Sequence, residues 1–197
     1  MNKLVVITGA SSGIGLAFAH KFASEKYDLI IIARDEKNLK MIANEINGEH
    51  AVNVSVITAD LSLGGAADKL WAQLKDKNID VFINNAGFGD LTDVIDADPA
   101  KIESMIALNI TTLTRLSQLA AISMKTRGQG AIVNLGSVLS FFPSPHGGAY
   151  GASKAYVLSF TESLSEELKG SGVYVTAICP GPTNTNFATQ SNMQNLG

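Results

Sequence analysis

Six short aliphatic runs punctuate the chain: Leu4–Ile7, Leu29–Ile32, Val52–Ile57, Val81–Ile83, Ala131–Leu135 and Val173–Ile178. They are apolar at nearly every position, the pattern of strands covered on both faces. Helical patterns fill the intervals, near Ile14–Ser24, Glu36–Ile46, Ala66–Leu74, Pro99–Arg127 and Tyr150–Leu168. Strand–helix alternation with short connections makes right-handed crossovers, and these build an α/β fold around one doubly wound parallel sheet. Asp98-Pro99 marks a helix start, with an acid at the N-cap and proline at the first helical position. Asn109, Thr111 and Thr112 interrupt the long stretch that follows, which predicts two helices or one bent helix there.

No repeat, low-complexity segment or linker divides the chain, so residues 1–197 read as a single domain. Pro180-Gly181-Pro182 is a stop signal, and residues 183–197 are polar without clear periodicity. Apolar residues make up 46% and charged residues 17%, a globular balance. The formal net charge of −3 gives no broad electrostatic reason to hold nucleic acid or an anionic membrane. Lys3 is followed only by Leu4–Ile7 before Thr8-Gly9, too short for a secretory apolar region of ~7–15 residues. No apolar run approaches the ~20 residues of a membrane span. Cys179, the single cysteine, excludes an internal disulfide and fits a reducing compartment. The expectation is a soluble cytoplasmic domain with neither nucleic acid nor membrane as partner.

The first run ends in Thr8-Gly9-Ala10-Ser11-Ser12-Gly13-Ile14-Gly15 and opens a helix. Glycines permit a tight turn and close backbone approach to a pyrophosphate, whose charge then sits against the free N–H groups of the helix start. At the first strand-to-helix turn this favours a dinucleotide site over a bare βα turn. Tyr150 and Lys154, four apart, share a helix face. A phenol with an ordinary pKa near ~10 is a sluggish proton carrier at neutral pH, and an ammonium ~4–5 Å away favours the phenolate by roughly 3–4 kcal/mol. Ser137 follows the fifth run at its carboxyl end, where doubly wound sheets place ligands, and its hydroxyl can donate to a carbonyl. His20, His50 and His146 show no ligand spacing with one another or with Cys179, so the sequence does not support a metal.

The Gly-x3-Gly-x-Gly turn, Asp60-Leu61, Asn84-Asn85-Ala86-Gly87, Asn109, Ser137, Tyr150-Gly-Ala-Ser-Lys154 and Pro180-Gly181 follow one another in a specific order. In that order and near that spacing the chain resembles the short-chain dehydrogenase/reductase family over essentially its whole length. The resemblance implies a Rossmann fold and an NADP(H)-dependent oxidoreductase that passes hydride between nicotinamide and a ketone, aldehyde or secondary alcohol. It makes Tyr150 the general acid/base, with Ser137 orienting the carbonyl and Lys154 holding the ribose and lowering the Tyr150 pKa. Asn109 would bind a proton-relaying water, and it also reads as a helix-kink residue. The cofactor would lie on Gly9, Ser11, Ser12, Gly13, Ile14 and Gly15, then on Asp60 and Leu61 beside the adenine. Asn85, Ala86 and Gly87 would line the ribose, and Pro180, Gly181, Thr183 and Thr185 would complete the site with Tyr150 and Lys154.

Ala33 stands where NAD-preferring members carry an acid, and Arg34 follows it. A guanidinium fork suits a 2′-phosphate, so NADP(H) is preferred. NAD(H) stays open because Asp35 is adjacent and Ser12 replaces a second basic residue; Arg34 also reads as a solvated charge at a helix start. Leu139, His146 and Phe187 are the substrate candidates, with His146 reading better as a plain loop position and Phe141 and Phe142 either in the same apolar wall or in the core. The family commonly pairs through two long helices, which implies a homodimer through residues 99–127 and 150–168 with Leu113, Leu116, Leu119, Val157, Phe160 and Leu164 in contact. It also usually continues into a seventh strand and a substrate-covering segment. Six strands are visible here, and residues 183–197 read as an incomplete covering segment. The competing readings are a catalytically silent NADP(H)-binding sensor or scaffold, and an inactive truncated reductase.

Overall fold

A strand apolar on both faces needs cover on both, and β1 (Leu4–Thr8) shows how the chain supplies it. Val5 and Ile7 point into one layer with Leu29, Ile31, Leu39, Ile42 and Ile46. Val6 points into the other with Ile30, Phe82, Leu116 and Met124. The computed structural model describes residues 2–182. Within them β2 (Asp28–Ala33), β3 (Val54–Thr58), β4 (Val81–Asn84), β5 (Gly130–Leu135) and β6 (Val173–Ile178) join β1 in one sheet of order β3-β2-β1-β4-β5-β6. All pairings are parallel, with Val5 opposite both Leu29 and Val81. The order reverses between β1 and β4, and this opens a crevice above their carboxyl ends.

The expectation of cover on both faces holds for the central strands and fails at the edges. In β6, Val173 and Val175 are buried while Tyr174 is exposed, and β3 is only partly buried. Side chains alternate between the two faces, and at the sheet's edge one face runs beyond its helical cover, so Tyr174 reaches solvent.

The helices are α1 (Gly13–Ser24), α2 (Glu36–Glu49), α3 (Ala66–Leu74), α4 (Pro99–Ile106), α5 (Leu113–Arg127) and α6 (Gly148–Glu167). Asp35 caps α2 by accepting from the Asn38 N–H at 3.0 Å, and Asp98 caps α4 on Ala100 at 3.0 Å. Between α4 and α5 the backbone widens into a π-helical segment, Ala107–Thr112, so residues 99–127 form one continuous helix with a local bulge at Asn109. That helix is long and apolar enough by length and composition to cross a membrane, which a reading that splits the run overlooks. Its residues Leu113, Leu116, Ala120, Ala121 and Met124 pack into the core of the sheet. This placement also corrects the expected dimer contacts: Leu113, Leu116 and Val157 are buried inside the chain itself and present nothing to a partner.

Candidate active site

The turn after β1 is shaped by contacts that only glycine allows. Gly9 has φ +66°, and a Cβ there would lie 2.8 Å from the Ala86 Cα. A Cβ on Gly15 would lie 2.3 Å from the Gly9 carbonyl oxygen and 2.5 Å from Asn85 Nδ2. The turn is laced to the end of β4. Asn85 Nδ2 donates to the carbonyls of Thr8 and Gly9, both at 3.0 Å, and Thr8 Oγ1 accepts from the N–H groups of Asn85 and Ala86 at 3.0 Å. Ser12 stands at the N-cap of α1 without a capping side-chain bond, so the first-turn N–H groups remain available to an anion.

A cleft of about 690 Å³ runs over the carboxyl ends of the strands. Gly9, Ser11, Ser12, Gly13 and Ile14 line one end, followed by Arg34, Asp60 and Leu61. Asn85, Ala86 and Gly87 form its middle, and Ser137, Leu139, Tyr150, Lys154, Pro180 and Gly181 its other end. Phe88, Leu91, Ser104 and Val138 also line it, although no sequence signal singles them out. Gly15 lies behind the turn and acts through packing, not through the cleft wall.

Several expectations are corrected. His146 adopts φ +61° on an exposed loop, sets its Nδ1 2.5 Å from Asp93 Oδ1, and does not line the cleft. Phe141 and Phe142 are 65% and 50% exposed, so they belong neither to the core nor to the cleft wall. Thr183, Thr185 and Phe187 lie outside the described residues.

Arg34 is exposed at the rim. The neighbouring Asp35 carboxylate is occupied in capping α2, and among the described residues no carboxylate lies within ion-pair distance of Arg34. Asp60 sits below the usual carboxylate range chiefly because the Ser62 hydroxyl and N–H donate to it, with the Arg34 charge adding to the effect.

At the opposite end Ser137 begins a single 3-10 turn, Val138–Ser140. Its Oγ accepts from the Leu139 N–H at 3.2 Å, and its own N–H donates to Ser140 Oγ at 3.1 Å. Ser140 Oγ in turn donates to the Lys154 carbonyl at 2.8 Å. Ser140 therefore joins the backbones of two candidate catalytic residues. Sequence reasoning missed it because its role runs entirely through main-chain groups. Tyr150 and Lys154 are 6% and 5% exposed on α6. Lys154 Nζ donates to the Leu135 carbonyl at 2.6 Å and stands 5.9 Å from the centre of the Tyr150 ring.

Burial pushes the Tyr150 phenol above its ordinary value, and the hydrogen bond with Ser137 only partly offsets this. The expected net lowering by Lys154 is thus reversed in the protein alone. Desolvation outweighs the Ser137 hydrogen bond, and an N–H of the Lys154 ammonium is directed at the Leu135 carbonyl. Burial also lowers Lys154 to about 8, against a small opposing contribution from Cys179.

Asn109 is fully buried in the π segment. Its Oδ1 accepts from the Phe88 N–H at 3.2 Å, and its Nδ2 donates to the Phe88 carbonyl at 2.9 Å and to Ser153 Oγ at 3.1 Å. Ser153 donates onward to the Tyr150 carbonyl at 2.7 Å. Asn84, at the end of β4, donates to Ser117 and Asn134, and Asn134 continues to Thr161, so a buried polar chain ties β4, β5, α5 and α6 together.

A glycine turn at the switch point of a parallel sheet, with a buried Ser–Tyr–Lys group at the far end of the same cleft, is the layout of a dinucleotide-type oxidoreductase. The chain belongs to the short chain dehydrogenase family, whose model matches residues 3–196. It is 33% identical over 185 residues to an uncharacterized oxidoreductase of Staphylococcus epidermidis, covering 93% of this chain and 79% of that one. Sulfoacetaldehyde reductase 2 of Chromohalobacter salexigens is 36% identical over 191 residues, covering 95% of this chain and 75% of that protein. A short-chain dehydrogenase from Sphingobium yanoikuyae, solved in complex with NADPH, superposes with a TM-score of 0.93 at 38% identity, covering 96% of this chain and 75% of that one.

Proposed function

We propose that this enzyme interconverts a ketone or aldehyde and the corresponding alcohol with NADP(H), through Tyr150 as general acid/base. The observation that carries the reading is the Ser137–Tyr150–Lys154 group at one end of a cleft whose other end is the glycine turn with Arg34. The residues fit the dinucleotide. Gly9 and Gly15 leave no room for side chains, the start of α1 offers N–H groups to a pyrophosphate, and Arg34 is exposed beside Asp60 for a 2′-phosphate. The NADPH-bound Sphingobium relative supports the same choice.

The dinucleotide supplies the hydride when bound. Ser137 donates a hydrogen bond to the substrate carbonyl, and Tyr150 gives its proton to the oxygen that becomes the alcohol. At neutral pH a raised phenol pKa keeps that proton in place for reduction. Lys154 holds the ribose, and Asn109 fixes the water that returns a proton to it. Leu139 contributes an apolar wall beside Tyr150. Two chains pair through the surfaces of the 99–127 and 148–167 helices. The retained Ser137, Tyr150 and Lys154, brought together in one place, argue against a silent sensor.

Nicotinamide fluorescence titration tests the cofactor. NADPH is expected to bind more tightly than NADH, and Arg34→Ala to erase roughly 10–100-fold of that preference, the worth of a charge-assisted phosphate contact. Tyr150→Phe is expected to lower carbonyl reduction by about 10²–10⁴-fold while NADPH still binds. Undiminished reduction by Tyr150→Phe would remove Tyr150 from the chemistry.

A further inference from the structure

Winding of the first two βα units lays α1 and α2 side by side, with Ala19, Ala23, Ile42 and Ile46 packed together beneath them. At the rim of this contact His20 of α1 meets Glu49 and His50 at the end of α2. His20 Nδ1 and His50 Nε2 each stand 3.9 Å from the same oxygen, Glu49 Oε2. One ligand atom from each of the three residues lies within 4.8 Å of the others. At 3.9 Å neither imidazole is hydrogen-bonded to the carboxylate. A tetrahedral ion with bonds of ~2.0–2.1 Å holds its ligands about 3.3 Å apart, so small side-chain torsions bring all three onto a common centre. The side chains are 33%, 56% and 22% exposed, which leaves them that freedom.

Electrostatics point the same way. Glu49 occupies the last turn of α2, where the helix dipole is negative, and no basic residue stands there to offset it. A cation between Glu49 and the two imidazoles would remove that conflict. Two imidazoles with one carboxylate form a borderline-soft donor set, suited to zinc-type ions, whereas magnesium and calcium prefer oxygen ligands throughout.

We propose that His20, Glu49 and His50 form a structural site for one divalent transition-metal ion of the zinc type, with a water in the fourth position. The site plays no part in hydride transfer. In a parallel βα unit the helices run back towards the amino ends of the strands, so the carboxyl ends of α1 and α2 lie away from the cleft. The opposite ends of this helix pair are already joined, since Asn38 Nδ2 of α2 donates to the Ser11 carbonyl at 3.0 Å. The ion clamps the remaining ends.

Calorimetric titration of the metal-stripped protein with Zn²⁺, paired with thermal unfolding, tests this. One ion per chain is expected. At free Zn²⁺ about 100 times the dissociation constant, the unfolding equilibrium falls about 100-fold, which raises Tm by roughly 5–10 °C in a chain of this size. The double variant His20→Gln/His50→Gln should keep the circular dichroism and metal-free Tm of the parent and lose both the ion and the shift. Glu49→Gln should weaken binding at least about tenfold, since altering even a residue behind a ligand costs that much. No binding at millimolar Zn²⁺, binding that survives in the double variant, or an equal shift with Mg²⁺ would each overturn the site.

Discussion

Lys154 carries the largest electrostatic cost described in the molecule. Its ordinary value of 10.5 falls to about 8 because burial penalises the ammonium. Between about pH 8 and 10.5 the unfolded chain therefore holds this proton more tightly than the folded one. The group depresses stability in full below about pH 8, and the loss is recovered as pH rises towards 10.5. The cost at pH 7 is roughly 3 kcal/mol by the usual conversion, reduced by the unpaired Leu135 carbonyl, about 1–3 kcal/mol, that removing the lysine would leave. Lys154→Met should accordingly abolish reduction yet melt no lower than the parent at pH 7, and its relative advantage should shrink by pH 10; calorimetry at the two pH values decides this. In the parent, reductive kcat/KM should hold below about pH 8 and fall above it, as Lys154 loses its proton. Spacing pairs Tyr150 with Lys154, because four residues on a helix fix a distance, while Ser137 joins them through the resemblance to the family. It does not disclose burial. That is why the direction of the Tyr150 shift, and the backbone work of Ser140 and Thr8, emerge only from the structure.

The central strands and most helix starts are legible at the element scale, because aliphatic runs and the Asp98-Pro99 cap are local signals. Edge strands are less so, since whether a face is covered depends on neighbours far along the chain. The bulge within the 99–127 helix is half legible. Asn109, Thr111 and Thr112 announce an interruption, but the form it takes follows from a tertiary contact, the grip of the Asn109 amide on both backbone groups of Phe88. This grip fixes the turn that leads from Gly87 into the substrate side of the cleft. Asn109→Ala would leave the partly buried Phe88 groups and Ser153 without those bonds. A loss of about 2–3 kcal/mol in urea unfolding is expected, together with weaker carbonyl reduction. A stability change below about 0.5 kcal/mol would show that water replaces the amide at no cost.

For the molecule as a whole, alternation along the chain predicts the parallel sheet and, with it, the end at which the cleft lies. The meeting of His20 with Glu49 and His50 is not legible that way, since only the winding of the sheet brings α1 against α2. Nor are the pairing surfaces, because a periodic apolar residue reads alike whether it faces the core or another chain. With Leu113, Leu116 and Val157 buried, the large apolar residues left exposed on these helices are Ile106, Ile122 and Tyr156. Tyr156 is held in place by stacking on Phe160, with ring centres 5.9 Å apart, and by a hydrogen bond to Thr114 Oγ1 at 3.0 Å. A pre-ordered aromatic loses little side-chain entropy on contact, which suits it to anchor an interface. In a twofold dimer the same patch meets itself, so one substitution places two like charges in the contact. Light scattering should give twice the chain mass of 20.7 kDa for the parent. Tyr156→Glu should return a monomer that keeps its circular dichroism spectrum, since the residue lies on the surface. A monomer mass for the parent at tens of micromolar would reject pairing through these helices, and a dimer that tolerates Tyr156→Glu would move the interface elsewhere.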